Sequence, residues 1–266
     1  MAPAMPYNAF MTQTRRDIFK SALALPASWT AFQSALAATA PGDEAYWRMV
    51  QRQFPLEDGI LYLNAANVCP ASRPVMDRHI EFLRDFHANP SFQNRDKYVA
   101  MRESLRAKAA RMLRVDADEI AVTRNTSEGS NLIVSGIDLN SGDEIIVTDH
   151  NHPSNLDSWK VRAKRHGLVL KIVRTPVLPA SADALIGSID REITGRTRVI
   201  AITHLTSTTG VLYPAREIAA LAQRRGIWMH LDGAQTFGSL DVDLRAIDCD
   251  SYSTSAHKWL MGPLEA

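Results

Sequence analysis

The chain has 266 residues, 45% hydrophobic and 22% charged, the profile of a globular protein long enough to bury one large core or two modest ones. A formal net charge of +1 gives no electrostatic footprint for a nucleic-acid partner. Two cysteines, Cys69 and Cys249, are too few for a disulfide framework or a cysteine zinc site.

The stretch "TRRDIFKSALALPASWTAFQSALAATA" runs from paired arginines, Arg15 and Arg16, through mildly apolar residues to small residues before Pro41. Basic, apolar and small residues in that order are the layout of an export signal. The arginine pair followed by Asp17, Ile18, Phe19 and Lys20 resembles a twin-arginine signal. It predicts a signal over residues 1–40 and a periplasmic or otherwise exported mature chain; the other reading is a basic tail without structure. Pro26, Ser28 and Gln33 interrupt the apolar part, so no stable membrane span is expected.

Beyond Pro41, "DEAYWRMVQRQFP" has helical spacing, with Tyr46, Trp47, Val50 and Phe54 on one side. "GILYLN" is a short apolar strand candidate. "RPVMDRHIEFLRDFHANP" reads as a helix closed by Asn89-Pro90, and "RDKYVAMRESLRAKAARMLRV" as another, with Val99, Leu105, Ala109 and Leu113 on its apolar face. Strands and helices then alternate. "EIAVTRN", "DEIIVTDH", "LVLKIVRTP", "TRVIAITHL", "IWMHLDGAQ" and "DSYST" read as strands, and the segments between the first five as helices. The strands are short, β-branched and nearly continuous in apolar character, as expected when both faces are covered. This alternation predicts an α/β layered domain with a mostly parallel sheet.

In open α/β sheets ligands bind beyond the carboxyl ends of the strands. Five strand ends bring polar residues there: Asn125 to Gly129, His150 and His152, Thr206 to Thr209, Asp232 and Gln235, and Ser255, His257 and Lys258. "NTSEGSN" between a strand and a helix suits a dianionic phosphate through free N–H groups and the hydroxyls of Thr126 and Ser127; it equally suits a plain helix cap. Neither a GxGxxG nor a Walker pattern is present, which argues against a dinucleotide or nucleoside triphosphate. Asp232 ends a very apolar strand, and a buried carboxylate requires a partner: a cationic ring nitrogen, an arginine or a helix N-terminus. His152 could stack on a flat ring or cap a strand. Lys258, if its pKa is lowered, could form a Schiff base with an aldehyde; alone it would pass for a surface charge. Phosphate, aldehyde, flat ring and ring nitrogen together describe pyridoxal 5′-phosphate. His150 and His152 have no carboxylate or thiolate set at ligand spacing, so no metal is expected.

"HLDGAQTFGSLDVDL" followed by "DSYSTSAHKWLMGP" resembles the class V aminotransferase family, which includes cysteine desulfurases, selenocysteine lyases and isopenicillin-N epimerase-like proteins. The likeness runs from about "LYLNAANVCPAS" to the last residue. It implies the large domain of a fold-type I pyridoxal-phosphate enzyme: an α/β/α sandwich over residues 76–266, preceded by an N-terminal segment at 41–75, with the C-terminal small domain missing. It also implies roles. Lys258 carries the cofactor as an imine and shuttles the proton, Asp232 keeps the pyridine nitrogen protonated, Gln235 lies by the phenolic oxygen, and His152 stacks on the ring. Thr126, Ser127, Ser255 and His257 hold the phosphate, Ser207 belongs with the cofactor-binding residues, and Asn64 and Asn67 lie near the substrate. Ser207 stands where desulfurases usually have asparagine and looks more like the epimerase-like branch. The implied activity is transamination or epimerisation of an amino acid or amine through a Cα carbanion, in a homodimer when full length. The alternatives are a desulfurase or C–S lyase-like enzyme and a truncated, inactive remnant.

Overall fold

The computed structural model describes residues 33–34, 37–38 and 42–264. The predicted export signal, apart from those four positions, lies outside the described residues.

Among the described residues, three helices form the N-terminal part of the chain. α1 (Glu44–Gln51) starts at Asp43, whose carboxylate accepts from the Ala45 N–H at 3.0 Å. α2 (Arg73–Ala88) carries its proline at the start, where a missing N–H costs nothing. α3 (Phe92–Leu113) is capped by the Ser91 hydroxyl, which accepts from the Asn94 N–H at 3.3 Å. Asp85 on α2 clasps α3 through Lys97 at 2.7 Å and the Tyr98 hydroxyl.

The sheet is built from β1 (Glu144–Thr148), β2 (Val169–Val173), β3 (Thr197–Thr203), β4 (Trp228–Asp232) and β5 (Ser251–Ser253) in the order β2-β1-β3-β4-β5. Every described pairing is parallel. The helices are α4 (Thr126–Gly136) before β1, α5 (Pro153–His166) between β1 and β2, α6 (Ala182–Asp190) between β2 and β3, and α7 (Ala215–Arg224) between β3 and β4, with the short α8 (Leu244–Ile247) before β5. The chain steps one way from β1 to β2 and the other way from β2 through β5. Right-handed crossovers therefore place α5 on one face and α6 and α7 on the other.

Side-chain alternation agrees with this. Ile145, Val147, Val199 and Ala201 pack with Val134 of α4 and Trp159 of α5. Their sequence neighbours Ile146, Ile200 and Ile202, with Met229 and Leu231, pack against α6 and α7. The result is the expected α/β/α sandwich, and each fully buried isoleucine contributes about 1.5–3 kcal/mol. The direction of stepping reverses between β1 and β3, so a crevice opens beyond Thr148 and Thr203. Asn151 ties it together: its amide oxygen accepts from the Thr148 hydroxyl at 2.7 Å and its amide nitrogen donates to the Ala201 carbonyl at 2.8 Å.

Two expected strands do not form. "GILYLN" pairs with no described strand and starts in a turn, the Ile60 N–H bonding back to the Glu57 carbonyl, with Leu61 82% and Leu63 84% exposed. "EIAVTRN" begins in a 3-10 turn over Ala117–Glu119 and then runs extended. The Ile120 N–H bonds back to Ala117 and its carbonyl accepts from Arg106, so its backbone groups are satisfied locally and no described strand lies alongside. A β-branched run becomes a strand only when a neighbour completes its ladder. Helix α1 stops before Phe54, and on α3 Val99 and Leu105 stay exposed while Leu113 is buried.

At the opposite end of the sheet, buried Glu144 bonds to Lys171 at 2.9 Å, Arg196 at 2.9 Å and the Thr194 hydroxyl at 2.6 Å. These partners, Lys171 first, bring its carboxyl down to about 2. A carboxylate held low stabilises the fold above its unfolded value near 4.5 and loses that contribution as pH falls toward about 2. Glu144→Gln is therefore expected to lower Tm at pH 7 by at least about 5 °C. The gap to wild type should narrow in thermal melts taken from pH 5 down to pH 2; a gap constant with pH would refute the electrostatic origin.

Candidate active site

Four strand ends converge on the crevice edge. β4 delivers Asp232, which is 2% exposed and accepts one backbone hydrogen bond, from the Ala234 N–H at 3.1 Å. Burial pushes its carboxyl upward; the Ala234 N–H and the charges of Lys258 and His152 pull the other way. The two side chains come from beyond the ends of β5 and β1, so the three predicted residues lie within electrostatic reach of one another. Lys258 is itself desolvated, which lowers its pKa, while the Asp232 charge opposes the drop. A lysine in this state supplies free amine at lower pH than an exposed one.

The phosphate-side residues also meet. Asn125 caps α4 by accepting from the Glu128 N–H at 3.0 Å. Ser255, buried beyond β5, accepts from the Thr126 N–H at 2.8 Å and shares a 2.6 Å hydrogen bond with the Thr126 hydroxyl. Ser127 donates to the Ser154 hydroxyl at 3.0 Å, linking the first turns of α4 and α5. His152 caps α5, its Nδ1 2.8 Å from the Ser154 hydroxyl and its ring exposed. Gln235 donates to the Ala66 carbonyl at 2.8 Å, and the Cys69 N–H donates to the His257 carbonyl at 2.9 Å. These two bonds bring the loop of Asn64 and Asn67 against the site, with both asparagines exposed. Ser207 is exposed on the loop after β3, beside Thr206, whose hydroxyl closes that loop through Thr209 and the Val211 N–H.

Sequence reasoning missed four supporting residues. Thr203 stands opposite Asp232 in the β3–β4 register, and its buried hydroxyl has no hydrogen-bond partner among the described residues. The period-2 pattern of "VIAIT" could have placed it on that face. His204 is buried and held neutral, pushed down to about 4 by burial. Trp259 donates its indole N–H to the Gln235 amide oxygen at 2.8 Å. Tyr252, under the Asp232 turn, bonds to the Thr236 hydroxyl at 2.9 Å and the Gly233 carbonyl at 3.2 Å. Only glycine fits at 233, since a Cβ there would lie 2.0 Å from the Tyr252 ring.

The lysine turn is closed by the Gly262 N–H on the Ala256 carbonyl at 2.8 Å and the Met261 N–H on the Lys258 carbonyl at 2.9 Å. Met261 takes a left-handed backbone, φ 56°, an unfavourable conformation for a non-glycine residue, inside the turn that these two hydrogen bonds close. Gly238, at φ 89°, lets Leu260 pack within 3 Å of where a Cβ would stand. Neither cysteine is activated: burial raises Cys69 and pushes Cys249 up to about 12. Among the described residues no group of three metal-ligating side chains occurs.

The family model for aminotransferase class V matches residues 61–264. Isopenicillin N epimerase of Streptomyces clavuligerus is 32% identical over 219 residues, covering 82% of this chain and 55% of that protein. A probable cysteine desulfurase of Methanothermobacter thermautotrophicus is 30% identical over 223 residues, covering 81% of this chain and 54% of that protein. The solved structure of a C-DES mutant with glycine covalently linked to its PLP cofactor superposes with a TM-score of 0.74 at 26% identity, covering 80% of this chain and 57% of that one. The chain thus spans about half the length of the curated relatives it matches.

The contact between Gly233 and Tyr252 can be tested directly. Gly233→Ala is expected to destabilise the fold by about 1–3 kcal/mol in urea titrations, because the ring must shift and give up its hydrogen bonds to Thr236 and the Gly233 carbonyl. Adding Tyr252→Ala makes room, so the double variant should be more stable than the two single changes predict together. Strict additivity would show that the two residues do not compete for this space.

Proposed function

The chain belongs to the aminotransferase class V family, and on that premise we propose that it binds pyridoxal 5′-phosphate and acts on an amino acid or amine at Cα, by transamination or epimerisation. The observation that carries the reading is the meeting of buried Asp232 with Lys258 and His152 at the mouth of the crevice.

The residues fit this group. Asp232 is buried with one backbone donor and forms no ion pair among the described residues, so a cationic ring nitrogen is the partner it lacks. Thr126, Ser127 and Ser255 gather hydroxyls at the N-terminal end of α4, where N–H groups and the helix dipole favour a dianion. Thr203 offers a further hydroxyl beside Asp232. Gln235 would face the phenolic oxygen and His152 the ring. When bound, the cofactor supplies an aldehyde for imine exchange and an electron sink for the Cα carbanion. This chain's residues would do the rest. Asp232 keeps a proton on the ring nitrogen by its charge, and desolvated Lys258 takes and returns the Cα proton. The loop of Asn64 and Asn67 borders the space left for substrate.

A sulfur-mobilising reaction of the desulfurase kind is the second reading, supported by relatives of that name. The raised thiols of Cys69 and Cys249 weigh against either one serving as its nucleophile. We further propose that the protein is a homodimer and that residues 1–40 direct export. No helix among the described residues is long and apolar enough to cross a membrane.

Adding pyridoxal phosphate to the purified chain should give a visible absorbance band that is absent in Lys258→Ala. Its rate of formation should reach half-maximum at a pH below the value of about 10.4 for a free lysine. With an amino acid present, deuterium should enter Cα from heavy water without release of sulfide from cysteine. A band that persists in Lys258→Ala would overturn the assignment of the lysine, and sulfide release would favour the second reading. For export, a reporter fused to residues 1–45 should reach the periplasm only in cells with a working twin-arginine system; retention in the cytoplasm would refute it.

A further inference from the structure

Gln235 is held at both ends of its side-chain amide. The indole N–H of Trp259 points to Oε1 at 2.8 Å, and Nε2 points to the Ala66 carbonyl at 2.8 Å. An indole N–H can only donate and a carbonyl can only accept, so this pair of contacts fixes which amide atom lies where. A flipped amide would set N–H against N–H at Trp259 and oxygen against oxygen at Ala66. Gln235 is 4% exposed, so water offers little compensation for either clash. With the amide so fixed, Oε1 is occupied by the indole and Nε2 keeps one hydrogen for a further acceptor.

The same chain of contacts joins three separate segments: the turn that carries Lys258, the exit of β4 with Asp232, and the loop of Asn64 and Asn67. Trp259 directly follows Lys258, and the Cys69 N–H on the His257 carbonyl makes a second link between that loop and the lysine turn.

We infer that Trp259 is a positioning residue: its indole N–H locks the Gln235 amide so that the site meets its ligand with an N–H donor, and through Gln235 it anchors the Ala66 loop beside the lysine turn. The first half rests on the pyridoxal-phosphate reading, in which the acceptor is the phenolic oxygen. The second half does not depend on that reading.

The test uses the full chain and the variants Trp259→Phe, which keeps a flat ring but loses the donor, and Gln235→Ala. A donor on the phenolic oxygen favours its ionised form. Without a locked amide, the pH midpoint of the bound cofactor's visible spectrum should rise by roughly 0.4–1 unit in Trp259→Phe. Gln235→Ala should raise it at least as far, and adding Trp259→Phe to that background should move it no further. In the cofactor-free chain, backbone hydrogen exchange over residues 62–69 should quicken equally in both single variants, while the rest of the sheet stays protected. If wild type gives a cofactor band but Trp259→Phe leaves its midpoint unmoved, or moves it equally in the Gln235→Ala background, the positioning role is overturned. If wild type gives no band, the cofactor reading fails, and the exchange data still decide the anchoring: unchanged protection over residues 62–69 in Trp259→Phe overturns it. Should Trp259→Phe misfold, Gln235→Glu replaces it. That change keeps an acceptor for the indole but removes the amide donor, so the proposal requires the higher spectral midpoint with slow exchange at the lysine turn; a midpoint equal to wild type overturns it.

Discussion

A carboxylate buried at the end of a parallel strand dominates this molecule. Asp232 lies 2% exposed at the end of β4, just beyond the buried Met229, His230 and Leu231. Burial alone would drive such a group to its neutral form. Lys258 and His152, arriving from neighbouring strand ends, oppose that drive without outweighing burial, and their arrival depends on the order of the sheet. The strands run parallel, so their C-terminal ends open on one edge, and the reversal of stepping between β1 and β3 leaves a crevice at that edge. An antiparallel arrangement of the same residues would separate Asp232 from His152 and Lys258.

The layers beneath the site hold this arrangement rigid. On the α4 side the next inward residue of β4 is His230, fully buried and pushed down to about 4 by desolvation, so it is neutral at physiological pH. Its two ring nitrogens lie 2.9 Å from the Ser251 hydroxyl and 3.2 Å from the Ser130 hydroxyl, and Ser130 shares a 2.7 Å bond with Ser253. This network joins β4, β5 and α4, the three elements that carry Asp232, the lysine turn and the first-turn hydroxyls. On the other side, the Tyr252 ring fills the space that the missing Gly233 side chain leaves. A fully satisfied polar network fixes one arrangement more narrowly than apolar packing alone, which suits a site whose charges must meet at set positions.

Much of this was legible in the sequence because it follows from period and spacing. "VIAIT" is apolar on both faces up to its last residue and "IWMHL" is broken only by His230, and residues placed just past the ends of such runs had to gather on one edge. His152, Asp232, Ser255 and Lys258 were singled out that way, and so was Thr126, although the run before it does not pair as a strand. The two failed strands share one cause. "GILYLN" and "EIAVTRN" have strand composition, but pairing is a property of a neighbour and not of the segment. The supporting residues were missed for a related reason. Trp259 and Tyr252 act through partners 24 and 19 residues away, Gln235 and Gly233, and no local pattern marks such a pair. Gly233 could only have been read as a conformational glycine, whereas its role is to leave room for a ring.

The two curated relatives bear on how far residues 61–264 can determine a reaction. One is named an epimerase and the other a probable cysteine desulfurase, and they match this chain at 32% and 30% identity over nearly the same length. What different reactions share cannot be what separates them. On the proposed reading, the buried carboxylate, the desolvated lysine and the helix-end hydroxyls perform the common half: they hold the cofactor and make the Cα proton labile. The selecting half must lie with groups that meet the substrate after that step, from the far side of Cα or at its β-substituent. At the crevice margin Ser207, Asn64 and Asn67 are exposed, and their side chains, unlike those of Asp232 and Gln235, are not tied into place by hydrogen bonds among the described residues. Substitutions at that margin can therefore change the outcome without dismantling the machinery beneath, which makes Ser207 the more informative position for reaction type than any member of the buried set.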